Sequence, residues 1–540
     1  MKKRLLIFFT ISLVVICVQL YSCKKSDNIN IGINEDWVAV DQGLLWTDAE
    51  RIAFYTQDQG VRTIPYSWLT SLQDATGMPF LRDNLQRYGF IPIQGRKLPV
   101  GFALGRDTSN LLSAGFTCAS CHTREIMVDN ISYRIDGAPS LANFEHYYKD
   151  LQIAMTATVS DQTKLEQFLD KIIAASSSNG DPVITDRNQL RSQVIKWQQD
   201  FSQFYQLCLP SSDMWGVGRL DALGQIINRV AAVDISPNPD SMILSNISPA
   251  NRPVRPPFLW NVKFQDYTQW GGTSVNGNSS QALLRNLGEA LGVGTQLRPI
   301  SSTSSANGFD FLAKNTTNFN GLIALENNIN KIGPPKWPWS LDTSLVNQGA
   351  NLFTANCASC HGTTPGETRP PTAATWATPI QDVGTDPTYW DNVVRTGSPG
   401  IYSSSFPAVT PLIGLVSYTE RAILNQYQPG ITLIQPTNST GPGKYESRVL
   451  EGIWAAAPYL HNGSVPTLDD LLKPANQRPT TFSLGVNYDT LKVGMSIGQP
   501  LRQGSQYNTL NSGNSNSGHE YGIQLSPQQR TALLEYLKSL

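Results

Sequence analysis

The chain has 540 residues, enough for two hydrophobic cores, and its 41 Lys and Arg nearly cancel its 42 Asp and Glu. This balance, with no basic block beyond the first residues, excludes an electrostatic case for nucleic-acid binding. The 42 Gly and 34 Pro indicate a body rich in loops rather than a bundle of long helices.

The N-terminal residues predict export from the cytoplasm. Basic residues at positions 2–4 precede an apolar run at 5–20, which is short for a membrane span. A basic start followed by such a run is typical of a secretory signal peptide.

The apolar run ends in Leu-Tyr-Ser-Cys at 20–23, which is similar to the lipobox of bacterial lipoproteins. We therefore predict a lipoprotein signal peptide at 1–22, a lipid anchor on Cys23 and a tether over 23–44, with order beginning near Trp37. A plain signal peptide or a helical anchor is the alternative. The lipid would be the only contact with a membrane and would hold the protein at the bacterial cell envelope, in the periplasm or on the outer membrane.

The pentapeptide Cys-Ala-Ser-Cys-His occurs twice, at 118–122 and at 357–361. Two thiols about one helical turn apart are suited to add across the two vinyl groups of a haem, and the histidine that follows can ligate the iron. A zinc site or a redox dithiol is the alternative, but zinc would need more thiolates or paired histidines nearby. Beyond Cys23, the one further mature cysteine is Cys208, which we expect to be a buried small residue. We predict two covalently bound haem c groups, held by Cys118, Cys121 and His122 and by Cys357, Cys360 and His361.

A helical insertion is predicted between the two pentapeptides, over residues 150–232. Its clearest signal is an apolar stripe at helical spacing, formed by Leu165, Phe168, Leu169 and Ile172. The segment ends near Arg219, a cation flanked by glycines that we expect to bind a haem propionate. A structural pairing of Arg219 with Asp221 is the alternative.

The proline-rich segment 333–339 predicts a domain boundary. Beyond it, a helix over 342–356 and a last helix capped by Ser526 resemble the packed first and last helices of small cytochrome c domains. We expect a mainly α fold with many loops and two cytochrome c-like haem domains. The N-terminal domain, enlarged by the insertion, would span 45–335, and the C-terminal domain 336–540.

Several stretches resemble the di-haem bacterial cytochrome c peroxidases, a superfamily that includes the methylamine-utilisation di-haem enzyme and the larger rubber oxygenase. The strongest is Ala-Pro-Tyr-Leu-His-Asn-Gly-Ser at 457–464, where Asn462 stands in place of the usual Asp. The run Trp-Gly-Gly-Thr at 270–273 resembles the family's Trp-Asp-Gly-Arg, with two of the four residues changed. The segments 98–102 and 518–520 are more similar to the rubber-oxygenase branch.

The resemblance implies roles for four further residues. Trp270 would lie between the haems and relay electrons, and Glu289 would act as a distal acid and base at the first haem. His519 would be the second iron's distal ligand, with His461 as a structural neighbour or the alternative ligand. The first haem would then be catalytic and the second would transfer electrons.

The leading functional hypothesis is a peroxidase-like oxidoreductase that reduces hydrogen peroxide with electrons from a small cytochrome or copper protein. An oxygenase that combines molecular oxygen with an apolar substrate, as in the rubber-oxygenase branch, is the second hypothesis. Its apolar pocket would draw on Leu283, Leu284 and Leu287. A tethered electron-transfer cytochrome with no substrate is the third.

Overall fold

Helices are the main regular elements in the computed structural model, which describes residues 37–210, 215–305, 307–362, 376, 378–433, 441–497 and 506–540. The predicted signal peptide, Cys23 and the tether up to residue 36 lie outside the described residues. The α-helices are α1 Asp48–Thr56, α2 Tyr66–Ser71, α3 Cys118–Cys121, α4 Phe144–Val159, α5 Gln162–Ser178, α6 Arg187–Cys208, α7 Ala222–Asn228, α8 Ser279–Gly292, α9 Phe319–Ile329, α10 Thr343–Asn356, α11 Ala358–His361, α12 Leu412–Tyr427, α13 Leu468–Leu471 and α14 Pro527–Ser539. The predicted fold class, mainly α with many loops, is confirmed.

The strands are short and form small sheets. They are β1 Trp37–Ala39, β2 Ile64–Pro65, β3 Phe102–Arg106, β4 Leu112–Phe116, β5 Thr123–Val128, β6 Ile131–Asp136, β7 Tyr267–Thr268, β8 Ser274–Val275, β9 Ile300–Ser301, β10 Phe309–Asp310, β11 Ile380–Asp382, β12 Thr396–Gly397, β13 Thr410–Pro411, β14 Lys444–Glu446, β15 Thr481–Ser483, β16 Tyr488–Asp489, β17 Gly494–Met495 and β18 Gln506–Asn508.

Two three-stranded sheets hold the first pentapeptide between them. One has the strand order β2-β4-β3 and the other β1-β6-β5, in which β1 runs parallel to β6 with Trp37 opposite Ser132. Because β4 ends at Phe116 and β5 begins at Thr123, residues 118–122 form the connection from one sheet to the other. Strand β1 also brings the end of the segment predicted as a tether into the fold.

The predicted helical insertion contains α4, α5 and α6, which pack on one another. Asn143, Asp161 and Asp186 precede these helices, and each side chain accepts hydrogen bonds from backbone N–H groups of the first turn. The predicted apolar stripe on α5 is confirmed, since Leu165, Phe168, Leu169 and Ile172 are all buried. The insertion is therefore held by ordinary helix packing, and α4 also reaches the first pentapeptide, since Cys121 packs against the apolar cluster that contains Tyr148.

The predicted pair of terminal helices is also confirmed, as α10 and α14 pack against each other. Asp342 caps α10, while Ser526 and Gln529 form a capping box at the start of α14, with Pro527 in its first turn. The helices come close at Gly349, where an added Cβ would lie 2.1 Å from the carbonyl oxygen of Ala532. The pair places the end of α10 directly before the second pentapeptide.

The main hydrophobic core runs across the predicted domain boundary at 335/336. It joins Trp46 and Phe54 to Phe353, Trp454 and Leu533 without a break. The two predicted domains are thus packed on a common core, and their exact division stays a prediction.

Cys208 is fully buried, as expected, and its sulfur accepts a hydrogen bond from the Asn228 amide at 3.4 Å. Within the described residues, no helix combines the length and the apolar character that crossing a membrane requires.

Candidate functional site

Each pentapeptide borders a deep cleft lined mainly by apolar side chains. In the first cleft, the Cys118 and Cys121 thiols are free and the His122 ring is among the lining groups. The space between its walls, counted to the open mouth, is about 1340 Å³. Gly101 lets the backbone of β3 pass directly beneath this turn, because a Cβ there would meet the backbone nitrogen of Ser120 at 2.1 Å. Residues of the stretch Phe116 to His122 thus line one side of the cleft.

His122 is in the protonation state that a metal ligand needs. Burial lowers the pKa of His122 to about 3, so the imidazole is neutral at physiological pH. Burial also raises the pKa of the Cys118 and Cys121 thiols to about 12, which keeps them as thiols until they react.

Glu289, predicted from resemblance alone, lines the first cleft together with the two thiols. It projects from α8 and accepts a hydrogen bond from the amide of Gln269. Burial raises the pKa of Glu289, while the Gln269 hydrogen bond and the Arg285 charge oppose the rise. A carboxyl whose pKa moves towards neutrality is suited to proton transfer.

The second cleft follows α10 and is lined by Cys357, Cys360 and His361, with about 1300 Å³ between its walls and open mouth. The Nδ1 atom of His361 lies 2.7 Å from the backbone oxygen of Arg448. This contact calls for the tautomer with the proton on Nδ1, which leaves Nε2 free to bind a metal. Burial lowers the pKa of His361 as well.

His519 shares the second cleft with His361. Their ring centroids are 6.1 Å apart and the ring planes meet at 50°. Two imidazoles that ligate one metal from opposite sides, each at a metal–nitrogen distance of about 2 Å, have centroids roughly 6 Å apart. The spacing of these two rings therefore fits a single iron between them.

The loop that carries His519 is held from two sides. Gly518, with φ +73°, packs on Gly384 so closely that a Cβ would lie 2.2 Å from its carbonyl carbon. On the other side the Arg478 guanidinium donates hydrogen bonds to the carbonyls of Gly518 at 2.8 Å and His519 at 3.2 Å. His519 itself adopts a left-handed φ of +48°, a conformation that this double clamp maintains.

His461 also lines the second cleft but has a different environment. Its ring stacks on Tyr445 with centroids 3.9 Å apart, and its pKa is lowered to about 3 by burial. Of the two histidines predicted as possible second-iron ligands, the structure pairs His519 with His361 and packs His461 on an aromatic side chain.

Trp270, predicted to lie between the haems, lines both clefts. The indole N–H donates to the backbone oxygen of Arg255 at 2.8 Å, and the indole is buried. The side chains common to both clefts, which we call the dividing wall, are those of Arg255, Phe258, Trp270 and Arg448.

Arg219 is not among the described residues that line either cleft. Its guanidinium donates to the Trp215 carbonyl at 2.7 Å and to the Asn514 side chain at 2.7 Å, and it lies over the Tyr507 ring. Asp221, its alternative partner, instead caps α7. The geometry thus gives Arg219 protein partners in place of the predicted propionate.

Sequence reasoning missed three side chains of the site. Gln269, next to Trp270, orients Glu289, and Arg255 and Arg448 complete the dividing wall. Gln269 could have been predicted as a site residue, because it directly precedes the Trp-Gly-Gly-Thr run at 270–273. The two arginines had none, because only the folded chain brings residues 193 positions apart to one wall.

The site fits covalent haem better than the zinc alternative. Within the described ranges, no group of three or more His, Cys, Asp or Glu side chains could hold a metal ion. Each pentapeptide instead offers two free thiols and one neutral imidazole at the edge of a large apolar cleft. Those are the groups that thioether attachment and axial ligation of a haem require.

Comparison with known proteins supports a cytochrome c family. Residues 344–409, which include the second pentapeptide, match the family "Cytochrome C oxidase, cbb3-type, subunit III". Residues 443–483 match the family "RoxA-like, cytochrome c-like". Both matches lie within the predicted C-terminal domain, and they imply covalently bound haem c and haem-based electron transfer or oxidoreductase chemistry.

Two proteins of Sinorhizobium fredii are similar to this chain over much of its length. The uncharacterized protein y4iJ is 29% identical, and the similarity covers 92% of each chain. The uncharacterized protein y4iM is 28% identical over 57% of this chain and 71% of its own.

Proposed function

We propose that the protein is an exported di-haem c-type oxidoreductase that reduces hydrogen peroxide at the first cleft with electrons received at the second. The observation that carries this proposal is the asymmetry of the clefts. The second contains two imidazoles at the spacing of a bis-histidine site. Of the five histidines, all within the described ranges, only His122 lines the first.

When bound, haem supplies an iron that can accept an external ligand where its sixth position is open and mainly passes electrons where two histidines ligate it. Cys118, Cys121 and His122 would hold the first haem. Cys357, Cys360 and His361 would hold the second, with His519 as its distal ligand.

Glu289 is the acid–base group in this proposal. Reduction of one hydrogen peroxide to two waters consumes two electrons and two protons. Glu289 would take a proton from one peroxide oxygen and deliver it to the other, which leaves as water. The two electrons from the donor and two protons from solvent would then reduce the remaining oxygen to the second water. The Gln269 hydrogen bond orients the carboxylate for this transfer. An external donor, such as a small cytochrome or a copper protein, would supply the two electrons, and Trp270 would form their path across the dividing wall.

The location proposed for this chemistry is the bacterial cell envelope. It rests on the signal-like run at 5–20 and the lipobox-like sequence ending at Cys23. Metabolic labelling with a fatty acid tests the anchor, since Cys23→Ala should abolish incorporation if this thiol carries the lipid.

Peroxide turnover with an artificial electron donor tests the enzymatic proposal. Replacing Glu289 by Gln removes the proton carrier while keeping the hydrogen-bonding shape, so turnover should fall by about 10²–10⁴-fold with both haems retained. Glu166→Gln is the matched control, because Glu166 lies on α5 in the helical insertion and pairs with Arg187. Undiminished peroxide turnover in Glu289→Gln would contradict the role of this carboxyl.

An oxygenase acting on an apolar substrate is the second candidate, favoured by the RoxA-like match at 443–483 and by the apolar lining of the first cleft. The predicted Leu283, Leu284 and Leu287 do not contribute to that lining among the described residues; they are buried in a neighbouring core. Consumption of molecular oxygen with an unsaturated hydrocarbon, without added peroxide, would favour this candidate. Absence of both activities would favour a simple electron-transfer cytochrome.

A further inference from the structure

The dividing wall between the clefts contains two buried positive charges. The Arg255 and Arg448 side chains are 4% and 5% exposed. Both guanidinium groups lie near the face of Trp270, with their central carbons 4.8 Å and 5.6 Å from the ring centroid. Each arginine borders the first cleft on one side and the second cleft on the other.

Neither guanidinium has all its hydrogen bonds satisfied by the described residues. Arg255 donates from Nε to the Leu460 carbonyl at 2.8 Å, but its buried Nη1 has no acceptor among the described residues. In Arg448, Nε and Nη1 also have no acceptor within the described ranges. The carboxylate of Glu446 lies 3.8 Å from Nη2 of Arg448.

Burying the two guanidinium groups with unsatisfied donors costs folding free energy unless a group from outside the chain supplies acceptors. A guanidinium presents five N–H donors and keeps its charge, so burying it without partners forfeits its hydration. Two guanidinium groups beside the same indole also repel each other. One carboxylate at 3.8 Å cannot neutralise both. Anions with oxygen acceptors that reach the wall from the clefts would satisfy these donors and neutralise both charges.

We propose that Arg255 and Arg448 bind the propionate carboxylates of the haems in the two clefts. A carboxylate is the group that a guanidinium fork recognises best, and each haem carries two of them. The wall thereby does three things: it neutralises the propionates, it fixes how far each haem reaches towards Trp270, and it links the charge states of the two sites. The backbone oxygen of Arg448 also accepts from His361, so this residue contacts the second site twice.

Two other arginines with little exposure, Arg219 and Arg285, are poorer candidates. Arg219, at 3% exposure, is outside both clefts and already has protein acceptors. Arg285 lines the first cleft, but its guanidinium is engaged by Glu326 and by the Asn276 side chain. The arginines of the wall differ from both in having buried donors for which the described part of the chain provides no acceptor.

Spectroelectrochemical titration of the holoprotein tests the assignment independently of any peroxidase or oxygenase activity. A cation beside a haem favours the reduced state, so removing it lowers the reduction potential. We expect Arg255→Gln and Arg448→Gln each to lower the potentials of both haems. The ratio of reduced to oxidised haem should change at least tenfold, which corresponds to about 59 mV. Arg448→Lys, which keeps the charge, should recover most of the shift.

Arg219→Gln is the matched control, an equally buried arginine outside the clefts, and should leave both potentials unchanged. Haem content, counted by the pyridine haemochrome method, ensures that only fully loaded protein is compared. If the wall variants leave the potentials unchanged, or if Arg219→Gln shifts them equally, the proposal is overturned. Wild-type potentials that respond to added acetate would instead assign the arginines to an exchangeable carboxylate, which also overturns propionate binding.

Discussion

Replacing Gly349 by Ala should destabilise the protein, although alanine is the better helix former. Gly349 lies on α10 where this helix meets α14, and the added Cβ would be 2.1 Å from the Ala532 carbonyl oxygen and 2.6 Å from the Tyr536 Cβ. These are backbone and near-backbone atoms of the opposing helix, which no rotamer change can move. The helices must separate by more than 1 Å before the oxygen reaches the 3.4 Å of ordinary contact.

The magnitude follows from two opposing effects. Overpacking of a well-packed contact costs about 1–3 kcal/mol, while Gly to Ala in a helix interior gains about 0.5–1 kcal/mol. We expect a net loss of about 1–2 kcal/mol in the free energy of unfolding, seen as a melting temperature lower by roughly 1–2 °C in a chain of 540 residues. Because α10 ends immediately before Cys357, the second haem's absorption spectrum should change with it.

Gly414→Ala is the control for helix propensity. Gly414 is exposed on α12, and an added Cβ would have no neighbour closer than the Pro411 Cβ at 4.0 Å. This variant should gain up to about 1 kcal/mol. Thermal unfolding followed by circular dichroism compares the two, and a Gly349→Ala protein at least as stable as wild type would refute the close contact of α10 and α14.

Two further predictions concern His519 and Glu420. His519→Ala should convert one haem equivalent from low spin to high spin in the electron paramagnetic resonance spectrum, and an unchanged low-spin signal would refute the ligand assignment. For Glu420, burial, with the Glu289 charge adding to it, raises the pKa from 4.5 to about 8, so the folded state holds a proton that the unfolded chain releases. Wild-type stability should therefore fall relative to Glu420→Gln as pH rises from about 4.5 to about 8, and a difference in melting temperature that is constant over this range would contradict it.

Local patterns in the sequence predicted much of the frame of the site. The paired thiols with an adjacent histidine, the capped last helix and the stripe from Leu165 to Ile172 depend on residues close together in the chain, so spacing alone indicates them. The family resemblance added Glu289, Trp270 and His519, and each lines the cleft for which it was expected. Their roles there stay predictions.

Long-range packing explains what the sequence could not predict. Arg219 sits among glycines and looks available, yet two of its acceptors, Asn462 and Asn514, come from residues more than 240 positions further along the chain. Arg448 has no local motif at all, and its place in the dividing wall depends on β14 ending just before it. Tertiary structure determines which groups lie beside a buried charge. The sequence alone therefore could not show that Arg219 has protein acceptors or that Arg448 lacks them among the described residues.

Two identical pentapeptides therefore acquire different neighbouring side chains from segments that do not resemble each other. The second receives an imidazole from the clamped loop at 518–519, whereas the first receives a carboxyl from α8. Because the two pentapeptides are identical, the proposed difference in ligand access would arise from these added segments. Trp270 lines both clefts, so in the proposed function the wall between the electron-transfer site and the substrate site would also carry the electrons from one to the other.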